Sequence, residues 1–238
     1  QNVIFSPKDW VLEIASNDGY LLRNFLPFGV TCVGVEPAEN VAQIARSHGV
    51  STITEFFSSE LARKMLAERG YPKLIIANNV LAHVPDLTDF VEGLGILCGP
   101  STQITIENPS LSNILVGYQF DTIYHEHYSY LTAYTISKLF KVVGLHLFKV
   151  EELSIHGGSN RYWLETFKPN NFTDSSVAMV IDKEIKAGLF NSSEWVHYSS
   201  KISRILDGFL DWLQSSKEKE RRIFGYGAAA KASTILNA

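Results

Sequence analysis

Val11-Leu-Glu-Ile-Ala-Ser-Asn-Asp-Gly-Tyr-Leu-Leu-Arg-Asn-Phe-Leu26 is the stretch from which the fold class can be read. Val11–Ala15 is a short, mostly apolar run, Ser16–Gly19 is turn-forming, and Tyr20–Leu26 carries apolar residues at helical spacing. The pattern predicts strand, tight turn, helix. A similar unit follows: Thr31-Cys-Val-Gly-Val-Glu36 reads as a strand, then Pro37 and a helix through Arg46. The alternation continues with a helix over 59–69, a strand Leu74-Ile-Ile-Ala77, a helix over 86–97 and a strand Gln103-Ile-Thr-Ile-Glu107. Strands alternating with helices imply a parallel sheet with both faces covered, a doubly wound α/β architecture.

Open sheets of this kind hold ligands beyond the C-terminal ends of their strands. The first turn has Gly19 but not the GxGxxG that lets a pyrophosphate approach, so NAD is disfavoured. Glu13, Asp18 and Glu36 instead make an acidic rim. Glu36 ends the second strand, where a carboxylate in such folds accepts from ribose hydroxyls. A cofactor carrying positive charge suits that rim, and S-adenosylmethionine has a sulfonium and an ammonium group. Asn78, Asn79 and His83 follow the strand at 74–77; His83 is as readily a satisfied helix-start residue as a reactive one.

The densest chemistry lies in Phe120–Leu131, around Tyr124-His125-Glu126-His127. Imidazoles take up and release protons near neutrality. The bland alternatives are a polar surface loop or a half-built metal site, and no third ligand is evident in the neighbouring sequence. Thr132 then caps a helix over Tyr134–Val143, closed by Gly144. Strands over 146–152 and 160–167 flank His156-Gly-Gly-Ser159 and pair antiparallel at the sheet edge. Helices are expected over 177–189 and 193–215. Arg222–Tyr226 reads as a new strand, and Gly227-Ala-Ala-Ala-Lys231 as a helix start able to hold an anion. The expected division is therefore 1–168 as a cofactor-binding domain, and 169–238 as a helical connection plus the truncated start of a second α/β lobe.

The bulk composition narrows the partners. With 238 residues, 45% of them hydrophobic, the chain can bury one large core, or one core plus part of a second. A net charge of −4 argues against a nucleic-acid partner. The charge-dense Lys217–Arg222 has mixed signs and reads as a solvated turn. Cys32 and Cys98 sit in apolar stretches without CxxC partners, as buried free thiols would, and no metal site is expected. No apolar run reaches membrane-spanning length and no signal-peptide pattern opens the sequence, so the expectation is a cytoplasmic protein without a membrane partner.

Together these residues resemble the S-adenosylmethionine-dependent sugar C-methyltransferases, which act at C3 of nucleotide-linked 4-keto-deoxysugars. The resemblance is carried by Leu12–Gly19, Gly34–Pro37, Ala77–Val80, Phe120–Leu131, His156–Ser159 and Gly225–Lys231, in the family's order. It implies a Rossmann-like methyltransferase sheet with an antiparallel edge hairpin. Two departures stand out: the family's cysteine-rich zinc module is missing, and its C-terminal lobe is cut short.

The resemblance, joined to the chemistry of ketone activation, implies roles. His127 takes the C3 proton, with His125 as the alternative base. Tyr124 or His125 donates to the enolate oxygen, and Glu126 orients an imidazole or raises its basicity. Glu36 serves the ribose, Phe56 or Phe57 forms an apolar wall for adenine, and Glu13, Ser16, Asn17, Asp18, Gly19 and Asn78 contact the methionine end. Competing expectations are an O- or N-methyltransferase of small metabolites and a non-catalytic S-adenosylmethionine-binding domain.

Overall fold

Seven strands form one sheet: β1 (Trp10–Ile14), β2 (Thr31–Val35), β3 (Ser51–Ile53), β4 (Leu74–Asn78), β5 (Gln103–Pro109), β6 (Leu145–Leu153) and β7 (Ser159–Thr166). Their order is β3-β2-β1-β4-β5-β7-β6. The first five are parallel, and β7 runs antiparallel to both β5 and β6. The computed structural model describes residues 3–227 and 230–237. The helices are α1 (Glu39–Ser47), α2 (Ser59–Arg69), α3 (Leu87–Leu97), α4 (Leu111–Val116), α5 (Ala133–Val142), α6 (Ser175–Lys186), α7 (Ser192–Glu218) and α8 (Ala230–Asn237).

Alternation along each strand sends successive side chains to opposite faces. Trp10, Leu12 and Ile14 of β1 join Phe90, Leu94, Ile136 and Phe140 in the larger core. Val11 points the other way, against Leu22, Ala45 and Val50. Glu13 shares Val11's parity and so ends β1 on that second face. Helix starts follow the sequence's polar caps: Ser58 accepts from the Leu61 amide, Asp86 from Asp89, and Thr132 forms a capping box with Thr135. The first turn of α5 is also held from outside. The buried Glu184 carboxylate accepts from the amides of Ala133 at 2.5 Å and Tyr134 at 3.1 Å.

The parallel sheet and the antiparallel edge pair agree with expectation, as do the two buried free cysteines. Four details differ. Tyr20–Leu26 is not an α-helix but two short 3-10 turns, Leu22–Asn24 and Leu26–Phe28. The Asn24 side chain donates to the Tyr20 and Leu21 carbonyls, and Pro27 has no amide to continue a helix. The segment after Pro109, where the sequence pattern marks no element, forms α4, capped by Ser110. The three-residue β3 was too short to register as a periodic pattern. Arg222–Tyr226 is exposed irregular chain rather than a strand, since among the described residues no other strand lies alongside to pair with it. A helix does follow as α8, while residues 228 and 229 of the expected glycine–helix junction lie outside the described residues. Among the described residues, no helix is long and apolar enough to cross a membrane.

Candidate active site

The turn after β1 builds the first half of the site. Ala15, Asn17 and Gly19 have φ of 55°, 52° and 76°, so the backbone takes the left-handed conformation at alternate residues with one glycine among three. Ala15 bears the steric cost usual for a Cβ in that region. The Ser16 amide donates to the Val35 carbonyl at 3.2 Å. Glu36 ties the turn to β2, accepting from the amides of Asn17 at 3.1 Å and Ala38 at 2.9 Å. Gly34 is required here, because a Cβ on it would lie 2.3 Å from Ser16 Oγ.

Beneath this turn are acceptors without donors. Glu13 is 2% exposed and its Oε2 has no partner. Burial, then the nearby Asp18 charge, pushes its carboxyl up to about 8. Ser16 Oγ and Asn78 Oδ1 are likewise buried without a hydrogen-bond partner. Unsatisfied buried acceptors are costly, so their grouping at the strand ends fits a ligand rich in N–H donors, such as an ammonium group. On the opposite face a cavity of about 480 Å³ is bounded by Ile14, Val35, Phe56, Phe57, Val80 and Phe90. Phe57 meets Phe90 edge-on at 5.2 Å between centroids, whereas Phe56 is 81% exposed. An apolar slot beside a carboxylate at the end of β2 suits a nucleoside.

A second cavity, of about 340 Å³, lies alongside, and His83 lines both. Its other polar walls are Asn79, Thr122, Tyr124, His127, His156 and Lys231. His127 Nδ1 is 2.9 Å from the Thr122 carbonyl oxygen. A carbonyl can only accept, so Nδ1 carries the hydrogen, and in the neutral ring Nε2 keeps its lone pair. Tyr124 Oη lies 3.1 Å from that Nε2 and donates to it. Burial chiefly lowers the His127 pKa, and the Thr122 hydrogen bond offsets part of this; His83 and Lys231 lower it further. The imidazole is therefore neutral at pH 7, as a general base must be. His83 packs edge-on to His127 at 4.7 Å and donates through Nδ1 to the Glu126 carbonyl oxygen at 3.1 Å.

The chain thus brings Tyr124 and His127 together in one cavity, while the side chains of His125 and Glu126 are exposed and line neither cavity. Ser16, Asn17, Asp18, Gly19 and Glu36 form one connected turn, with Glu13 and Asn78 beneath the strand ends. Sequence reasoning gave no role to His156; it placed Asn79 beside Asn78 after the strand at 74–77 and Lys231 at a helix start able to hold an anion. His156 stands beside two glycines between β6 and β7, and only the fold carries its side chain and that of Lys231 to the cavity of His127.

A family model described as a methyltransferase domain matches residues 4–150, and one described as a C-methyltransferase C-terminal domain matches residues 154–238. The chain belongs to the methyltransferase family. Among curated proteins, the C-methyltransferase NovU of Streptomyces niveus is 30% identical over 97% of this chain and 55% of its own length. The chain therefore spans about half the length of that relative. Among solved structures, an S-adenosylmethionine-dependent methyltransferase from Anabaena variabilis has a TM-score of 0.55 at 15% identity, covering 69% of this chain and 79% of that one. The magnesium protoporphyrin IX methyltransferase of Synechocystis, with bound S-adenosylhomocysteine, has a TM-score of 0.52 at 14% identity over 66% of this chain and 74% of its own. At such identities the likeness is one of fold. The chain shares with them its fold, in which a mostly parallel sheet carries the candidate site at its strand ends.

Proposed function

We propose that this methyltransferase is an S-adenosylmethionine-dependent C-methyltransferase acting at C3 of a nucleotide-linked 4-keto-deoxysugar, through an enolate formed by His127. The single observation behind it is the fixed imidazole: Nδ1 bonded to the Thr122 carbonyl leaves Nε2 as the basic atom, in a cavity that shares the His83 wall with the apolar slot.

When bound, S-adenosylmethionine supplies an electrophilic methyl group. Glu36 would hold its ribose, Phe56 and Phe57 its adenine, and the orphaned acceptors of Glu13, Ser16 and Asn78 its ammonium, with Asn17, Asp18 and Gly19 shaping the turn. Residues 1–168 are the cofactor-binding part of this scheme, with the remainder closing the acceptor side. His127 Nε2 takes the proton from the carbon beside the ketone. Tyr124, which donates to Nε2 before reaction, turns its hydroxyl hydrogen to the ketone oxygen as charge develops there. Glu126 acts through its main-chain carbonyl, which orients His83; His125 lies outside the cavity. A dry carbon acid needs such a base, whereas methylation of an amine or hydroxyl does not.

The test is deuterium exchange of the substrate C3 proton, followed by NMR. Exchange should disappear in His127→Ala and persist in His125→Ala. The reverse pattern would move the base to His125, exchange surviving in both variants would exclude both histidines as the base, and no exchange in the unsubstituted protein would remove the enolate.

A further inference from the structure

The cavity around His127 is lined from both matched segments of the chain, and the more distant one supplies a cation. Lys231, in the first turn of α8, is the only permanently charged cation among the described residues lining it. Its Nζ stands 3.7 Å from Asp121 Oδ2. That is close enough for charge attraction and too long for a hydrogen bond. Among the described residues no acceptor takes a hydrogen bond from Nζ, so its three donors remain available. The plain alternative is a surface ion pair, since the lysine side chain is 45% exposed. An exposed pair at this distance does little for the fold, and it does not account for a lysine in the wall that holds the Tyr124–His127 pair.

We infer that Lys231 is a further catalytic residue, whose ammonium donates a hydrogen bond to the oxyanion formed on the substrate carbonyl when His127 removes the neighbouring proton. The inference rests on the C-methylation reading above. In the step, the C–H bond breaks and its proton goes to His127 Nε2. The C–H electron pair becomes the C=C bond, and the carbonyl π pair moves to oxygen. Lys231 keeps its proton and shares it with that oxygen. No group is oxidised or reduced.

Before reaction the cavity holds a neutral imidazole, a phenol and one ammonium balanced by Asp121. After proton transfer it holds an imidazolium and an oxyanion, with Lys231 and Tyr124 as donors to the latter. Around His127 stand His83, Tyr124 and Tyr130, with the Lys231 ammonium lining the same cavity and the exposed Glu126 carboxylate acting on it only through charge. Lys231 therefore works twice. It disfavours the protonated resting base, and it favours the product of proton removal.

The experiment measures exchange of the C3 proton of a nucleoside-diphosphate-linked 4-keto-6-deoxyhexose in deuterated buffer, without methyl donor, over a range of substrate concentrations. In Lys231→Met the saturating exchange rate should fall about a hundredfold, as on removing one oxyanion donor, with half-saturation little changed. Lys231→Arg should recover much of it. The imidazole titration of His127 should move to higher pH in Lys231→Met, with thermal melting confirming an intact fold. Unchanged exchange in Lys231→Met overturns the inference while His127→Ala still separates the underlying reading. A rise in half-saturation at an unchanged saturating rate also overturns it, making Lys231 an anchor for the substrate's phosphates. Failure of the unsubstituted protein to exchange at all overturns the reading and the inference together.

Discussion

Glu13 is almost wholly removed from water, and burial with the Asp18 charge raises its carboxyl from an ordinary 4.5 to about 8. A carboxyl whose pKa is higher folded than unfolded binds its proton better in the native state. Its contribution to stability is therefore full below about pH 4.5 and is lost as pH rises through about 8. Glu13→Gln should consequently be more stable than the unsubstituted protein at pH 9, by on the order of a few kcal/mol in urea unfolding. The same substitution should weaken S-adenosylmethionine binding roughly tenfold or more by calorimetry, because an amide cannot ionise to match the ligand's ammonium group as the carboxyl can. Equal stability at pH 9 with equal affinity would show that Glu13 is indifferent to both. Residues such as Glu13 and Glu36 were legible in the sequence because strand ends fix where they stand. Which of His125 and His127 turns its ring into the cavity was not. It depends on a main-chain carbonyl at Thr122, which no residue type announces. Ala15 and Asn17 hid in the same way, adopting backbone angles usually signalled by glycine.

Arg161 of β7 stands opposite Glu107 on β5 and Glu151 on β6. It pairs with the buried Glu107 at 2.6 Å and more loosely with Glu151 at 3.9 Å. Glu107 Oε1 in turn accepts at 3.4 Å from the side-chain Nδ2 of Asn79, a wall of the His127 cavity. Arg161→Met should destabilise the protein by about 3 kcal/mol, since it leaves a buried carboxylate uncompensated. Adding Glu107→Gln should recover part of that loss. Two independent, additive losses in denaturant unfolding would contradict the pairing. The edge hairpin itself was readable from apolar alternation around His156-Gly-Gly-Ser159, and α5 from Thr132 and Gly144. The 3-10 turns after Gly19 were not, because apolar spacing alone cannot weigh the competing bonds of Asn24. Arg222–Tyr226 misled for a related reason: its composition suits a strand, but a strand exists only beside a partner.

The two cavities meet at His83, and the second is closed by residues from both matched segments, Tyr124 and His127 from one and His156 and Lys231 from the other. That arrangement places an apolar slot on one side of a shared wall and the His127 imidazole on the other. Its most direct test is the destination of the methyl group. Incubation with methyl-¹³C S-adenosylmethionine and a nucleoside-diphosphate-linked 4-keto-6-deoxyhexose, followed by carbon NMR, should place the label on C3, with the methyl bonded to carbon. A label on oxygen or nitrogen, or none transferred while the cofactor binds, would contradict it.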